Sequence, residues 1–122
     1  MIIGIGTDIC ETARITKGTR NPRFRAKVYT DRELAYCADK PLETAAGLFA
    51  AKEAAVKAMG VGFRDFWPCD VEITRDDLGK PIVLPHGAFK DVCDLKQAVI
   101  HISISHTRES AIAFAVAETE GL

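Results

Sequence analysis

Asp8, Glu53 and Lys57 are the residues of this chain whose types and placing could do chemistry together. Asp8 stands near the end of an apolar run, Met1-Ile2-Ile3-Gly4-Ile5-Gly6-Thr7-Asp8-Ile9, that reads as a strand delivering one carboxylate. Glu53 and Lys57 belong to Phe49-Ala50-Ala51-Lys52-Glu53-Ala54-Ala55-Val56-Lys57-Ala58-Met59-Gly60, where a helix sets them one turn apart on one face. Two carboxylates and an amine suit a magnesium-assisted transfer of a phosphate-bearing group. Magnesium takes one or two carboxylates and keeps its other octahedral positions for waters and phosphate oxygens. Taken singly, each residue has a plainer explanation. Asp8 could be a structural cap, and Glu53 with Lys57 an ordinary helix pair worth about 0.3 kcal/mol. The alanines crowded around Lys52, Glu53 and Lys57 tip the balance, because they imply a buried helix and a buried charge needs a partner or a task.

Two further groups could meet a phosphorylated ligand. Gly60-Val61-Gly62 could offer backbone N–H groups to phosphate, but it follows a helix instead of preceding one, which favours a plain helix C-cap. Ser103, Ser105, His106 and Thr107 cluster at the end of an alternating strand. No nucleophile-elbow motif accompanies them, so phosphate or adenosine contact fits better than Ser/His hydrolysis, and a hydrogen-bonded turn fits equally well.

The elements that must position these residues are legible in outline. The strand over residues 2–9 carries Gly4 and Gly6 on one face, a sign of close approach by a backbone or a ligand. Asn21-Pro22 reads as an N-cap and first helical residue, and Thr30-Asp31-Arg32-Glu33 as a capping box before a short helix that ends before Pro41. A longer, alanine-rich helix runs from about Leu42 to Met59. Val71–Thr74 and Pro81–Leu84 flank the turn residues Asp76–Lys80, and His86–Leu95 reads as a short helix. Ile100–Ser105 alternates, with the isoleucines inward, and Ser110–Ala117 returns as a strand expected to be buried on both faces. The expected class is α+β, a small antiparallel sheet packed against a long helix, in one domain spanning 1–122.

Composition narrows the function classes. With 48% hydrophobic and 27% charged residues the chain reads as an ordinary globular protein. No run approaches the roughly 20 apolar residues that cross a bilayer, and no secretory leader is evident, so a cytoplasmic setting without membrane contact is expected. The 4 cysteines are scattered without a Cys-x-x-Cys pair, which predicts reduced thiols in or near the core. A net charge of −1 hides a basic stretch in which Arg14, Lys17, Arg20, Arg23, Arg25 and Lys27 follow one another with no acidic residue between. No aromatics interleave with these charges as in a single-strand binder, so an acidic protein partner is favoured over nucleic acid.

Taken in order, Gly4-Ile5-Gly6-Thr7-Asp8-Ile9, the Phe49–Ala58 segment, Gly79-Lys80-Pro81 and His101-Ile102-Ser103-Ile104-Ser105-His106-Thr107 resemble the holo-acyl carrier protein synthases. This is the short, single-domain branch of the 4′-phosphopantetheinyl transferases. The resemblance implies that coenzyme A donates 4′-phosphopantetheine to a serine of apo-acyl carrier protein, releasing adenosine 3′,5′-bisphosphate, in fatty acid biosynthesis. It assigns Asp8 and Glu53 as magnesium ligands, and Lys57 as the lysine near the pyrophosphate that assists proton transfer. A metal-bound water is the competing base. Lys52, Gly60, Gly62, Ser105, His106 and Thr107 are expected around the coenzyme, and Arg14, Arg20 and Arg23 against the acidic carrier protein. One departure is Leu48, where many members carry a basic residue. Members of this length form trimers with active sites between subunits, and the Ala111/Ala113/Ala115/Ala117 face is the candidate packing surface, unless the chain's own helix covers it. A coenzyme A or carrier-protein binding module without activity, and a magnesium-dependent nucleotide hydrolase, are the rival readings.

Overall fold

Alternation and small residues decide the main sheet. In the computed structural model, which describes residues 1–63 and 66–120, β1 (Ile2–Glu11) pairs antiparallel with β5 (Ser110–Thr119). In turn β5 pairs antiparallel with β4 (Ala98–His106), giving the order β1-β5-β4. A helix α4 (Glu43–Ala58) lies across the inner face of this sheet, against β1 and β5. Alternate residues set that face: Gly4, Gly6, Asp8 and Cys10 on β1, Ala111, Ala113, Ala115 and Ala117 on β5, and Ile100, Ile102 and Ile104 on β4. The four alanines are at most 1% exposed.

That contact is backbone against backbone. A Cβ added at Gly4 would collide with the Ala58 carbonyl, and one at Gly6 with the Ala54 carbonyl. Glycine on the strand and alanine on the helix are what allow so close an approach. Because α4 is covered by the sheet on one side and by other elements elsewhere, most of its residues from Ala46 to Ala58 are buried, and the helix is apolar nearly all round. It ends in a Schellman arrangement: Gly60, at φ +73°, donates to the Lys57 carbonyl and Val61 to the Val56 carbonyl.

Before α4 run three short helices, α1 (Thr12–Gly18), α2 (Pro22–Val28) and α3 (Asp31–Cys37). Asn21 caps α2 by accepting from the Arg23 N–H, and Thr30 and Glu33 form the reciprocal capping box of α3. After α4, a 3-10 turn at Pro68–Asp70 leads into the hairpin β2 (Val71–Arg75) and β3 (Pro81–Pro85), a separate two-stranded sheet. Helix α5 (Gly87–Lys96) follows, with Phe89 fully buried.

The α+β class and the elements expected from sequence are present, with one correction at β5. Its alanine face is covered, but Ile112 and Phe114 on the other face are 47% and 46% exposed. The strand is therefore buried on one face only in the single chain. The alanines meet α4 and cannot also meet another subunit. The opposite face carries Ile5, Ile9, Ile112 and Phe114 and is uncovered. All four cysteines are free thiols, Cys10 and Cys93 buried and the other two half-buried.

Candidate active site

Where β1 runs antiparallel across α4, the sequence brings three charged side chains to one place. Asp8 is the first inward-facing β1 residue beyond the glycines, and it points at the helix face that carries Glu53 and Lys57. Lys57 Nζ donates to Asp8 Oδ1 at 3.3 Å and to the Thr7 carbonyl at 3.0 Å. Lys57 is half-exposed and Asp8 mostly covered. Burial pushes the Glu53 carboxyl above the usual carboxylate range, and the nearby Asp8 charge raises it further. Lys57 and Arg14 pull it part of the way back. Two carboxylates near enough for one to raise the other, with only part of their charge compensated, favour a cation.

Arg14 joins this cluster from α1. Its guanidinium lies 5.6 Å from the centre of the Phe49 ring, which in turn stacks on Phe24. Beside it opens a groove of about 1100 Å³. Its wall includes the basic Arg14, Lys17, Arg20 and Arg108, which outnumber the acidic Glu11 and Glu109. Arg20 thus shares a surface with Arg14. Arg23 is exposed on the next helix and is not among the groove's residues.

Other expected site residues are not gathered with the carboxylates. Ser105, His106 and Thr107 are exposed at the end of β4. Asp8 pairs with Ala113 and Ala113 with Ile104, so β4 runs two strands away, on the order of 10 Å. The Ser105 side chain leaves the opposite face of the sheet. The Thr107 hydroxyl accepts from the Ser110 N–H, and the Thr107 N–H donates to the Ser110 carbonyl, so this residue closes the β4–β5 turn. Gly60 terminates α4, at the other end of the helix from that turn. Gly62 is exposed, with open space around it.

Lys52 requires a correction. Expected at the coenzyme, it is instead fully buried on another side of α4. Its ammonium donates to Glu33 Oε1 at 2.8 Å, to the Val71 carbonyl at 2.8 Å and to the Pro68 carbonyl at 3.2 Å. All three N–H bonds are used, so none is left for a ligand. Burial lowers its pKa while Glu33 opposes the shift. Leu48, the departure from the resembled pattern, is 1% exposed and belongs to the core.

Sequence reasoning passed over two residues. Arg108 reads as part of a turn, and only the β4–β5 hairpin brings it to the groove of Arg14. Glu33 reads as half of a capping box. The available signal was an acidic residue in a short helix followed by a lysine in an alanine-rich one, which is too common to single out a pair.

The model of the 4′-phosphopantetheinyl transferase superfamily matches residues 4–115. A holo-[acyl-carrier-protein] synthase of Clostridium novyi is 47% identical over 98% of this chain and 90% of that protein. Among solved structures, the holo-[acyl-carrier-protein] synthase of Neisseria meningitidis superimposes with a TM-score of 0.87 at 34% identity, covering 98% of this chain and all of that one. The Bacillus anthracis enzyme, solved in complex with CoA (3′,5′-ADP), gives 0.81 at 36% identity, covering 98% and 99%. The chain belongs to the 4′-phosphopantetheinyl transferase superfamily and, within it, to the holo-acyl carrier protein synthases.

Proposed function

We propose that this protein transfers 4′-phosphopantetheine from coenzyme A to a serine of apo-acyl carrier protein, in the cytoplasm and in the service of fatty acid biosynthesis. Its 122 residues form one transferase domain for this task. The observation that carries the reading is the meeting of Asp8, Glu53 and Lys57 at the β1–α4 crossing.

The donor set fits magnesium. Among the described residues no cluster of three or more His, Cys, Asp or Glu side chains forms a complete cage. Two neighbouring carboxylates, one of them raised by burial and by the other's charge, are the set magnesium uses when phosphate oxygens and waters complete its shell. Asp8 and Glu53 would hold the ion, which when bound neutralises charge on the pyrophosphate and on the departing bisphosphate.

The residues of the chain do the rest. The serine oxygen forms a bond to the β-phosphorus, the bridging P–O bond breaks, and adenosine 3′,5′-bisphosphate leaves. Such a transfer is won by placing charge where the phosphoryl oxygens develop it. Lys57 is anchored by two of its N–H donors to Thr7 and Asp8, which leaves the third for a phosphate oxygen. As the neutral amine, with its two remaining N–H groups still on Thr7 and Asp8, it would instead turn its lone pair to the serine proton. Arg14, with Arg20 and Arg23 on the basic α1–α2 surface, presents positive charge to an acidic carrier protein.

The uncovered face of the β1-β5-β4 sheet supports assembly as a homotrimer. Ile5 and Ile9 are 62% and 68% exposed there, beside Ile112 and Phe114, and a contiguous apolar patch of this kind marks an interface. Because Ser105 belongs to that face, Ser105, His106 and Thr107 would contact the nucleotide at a neighbouring subunit's carboxylates, with Gly60 and Gly62 as further phosphate donors.

Intact-mass spectrometry of an apo-acyl carrier protein, incubated with this protein, coenzyme A and magnesium beside an EDTA control, tests the reaction. A gain of one phosphopantetheine on the carrier serine, absent with EDTA, is expected. No gain from the folded protein would refute it, and bisphosphate released without carrier protein would point to a hydrolase.

A further inference from the structure

The Glu33–Lys52 ion pair is the most deeply buried charge in the described structure, and the reaction leaves it without a task. Both side chains have no exposure. Every polar atom of the pair is satisfied. Glu33 Oε1 accepts from Lys52 and from the Thr30 N–H at 2.9 Å, and Oε2 accepts from the Ile73 N–H at 2.9 Å. Lys52 adds the carbonyls of Pro68 and Val71. One pair of side chains thus joins the start of α3, the middle of α4, the 3-10 turn and β2. A pair of apolar residues would stabilise these contacts as well or better, because desolvating two charges is costly. What charges add is direction.

The direction matters because of where Lys52 sits on the helix. At about 100° per residue, Glu53 lies about 100° and Lys57 about 140° around α4 from Lys52. Ala54 and Ala58, which touch Gly4 and Gly6, lie about 200° and 240° around. The helix is therefore gripped from opposite sides, by glycines of β1 on one and by the Glu33 knot on the other. Glu53 and Lys57 project between the two grips. The glycine contact fixes how near α4 comes to β1. It involves no side chain beyond Cβ, so it is a weak constraint on roll about the helix axis. The knot, with directed hydrogen bonds at the residue next to Glu53, supplies that constraint.

We infer that Glu33 and Lys52 are positioning residues, which set the roll of α4 so that Glu53 and Lys57 face Asp8. This rests on the proposed assignment of Asp8, Glu53 and Lys57 as the reacting site. Groups that orient metal ligands from behind are typically worth about 10- to 100-fold in metal affinity or activity.

The test compares wild type with the charge-free double variant Glu33→Gln/Lys52→Met, which avoids leaving one buried charge alone, and with Glu33→Gln. Glu33→Gln keeps the shape and the backbone acceptors of Lys52, and it is read in the same way if the double variant does not fold. Mn²⁺ affinity is measured by electron paramagnetic resonance on the folded proteins, alongside kcat and the KM for carrier protein. Positioning predicts Mn²⁺ binding weakened about 10-fold or more and kcat lowered by a similar factor, with KM for carrier protein changed less than kcat because Arg20 and Arg23 lie outside α4. A folded variant with a lower melting temperature but wild-type Mn²⁺ affinity and kcat would overturn the inference and leave the pair a purely structural tie. Glu53→Ala is run in parallel. If it too binds Mn²⁺ and turns over normally, the site assignment fails, and not merely the positioning.

Discussion

Gly6 lies directly beneath the carbonyl of Ala54. A Cβ at residue 6 would collide with that oxygen and would come within 2.8 Å of both the Ala58 nitrogen and Lys57 Cβ. The same contact that brings β1 against α4 therefore brings Asp8, two residues on, to Glu53 and Lys57. Packing and chemistry depend here on one missing methyl group.

Replacing Gly6 with alanine is expected to destabilise the protein by about 3 kcal/mol, the upper end for overpacking, because the atoms in the way are backbone and cannot turn aside. Chemical denaturation measures this. A variant as stable as wild type would mean that α4 sits farther from β1 than described.

Glu53→Gln should abolish phosphopantetheine transfer while the circular dichroism spectrum stays that of wild type. Retained turnover in the intact-mass assay would remove Glu53 from the reaction. The variant also has a pH signature. A carboxyl raised on folding is a liability when ionised, since between its unfolded and native values the native state binds more protons than the unfolded one. Without divalent ions, wild-type stability should fall as pH rises from the unfolded value of about 4.5 through the raised native one. Glu53→Gln should not show that fall, and the two proteins should converge at lower pH. Magnesium should restore the wild type at neutral pH and leave the variant unmoved. Parallel melting curves across pH, with and without the ion, decide it.

Lys57→Gln keeps a donor for Asp8 and the Thr7 carbonyl but loses the charge. If Lys57 acts on the pyrophosphate, kcat should fall about 100-fold while folding is preserved. Steady-state kinetics with saturating carrier protein measures this, and an unchanged kcat would count against the role.

Arg14→Glu places a negative charge in the basic groove. The KM for carrier protein should rise about 10-fold, the equivalent of about 1.4 kcal/mol, and the effect should shrink as salt is added. A salt-independent loss would instead indicate damage to the Phe49 and Phe24 stack on which Arg14 rests.

Phe114→Glu tests the uncovered sheet face. Sedimentation velocity should find wild type as a trimer and the variant as a monomer. Loss of assembly should cost activity, because Ser105, His106 and Thr107 would no longer reach a neighbour's carboxylates. A variant that remains trimeric would place the interface elsewhere.

Local sequence determined most of the elements, because their signals are short-range, but not α1, whose N-cap residue Glu11 makes no side-chain cap bond. The capping box at Thr30 and Glu33, the asparagine cap before Pro22, the alternation of Ile100–Ser105 and the glycine stop after Met59 each act within a few residues, and each is found where the pattern places it. The spacing of Glu53 and Lys57, and the apolar strand ending at Asp8, likewise made the pairing of strand carboxylate and helix face legible. Tertiary structure decided what no local pattern encodes. Lys52 and Glu53 are neighbours in a helix, yet one is sealed against Glu33 and the other turned towards Asp8. Which side meets which partner depends on α3 and β2, whose docking is non-local. The four alanines of β5 looked equally fit to meet a helix or another subunit, and α4 took that face because the glycines of β1 let its backbone come close. The larger Ile112 and Phe114 were left on the outside, where only a further surface can cover them.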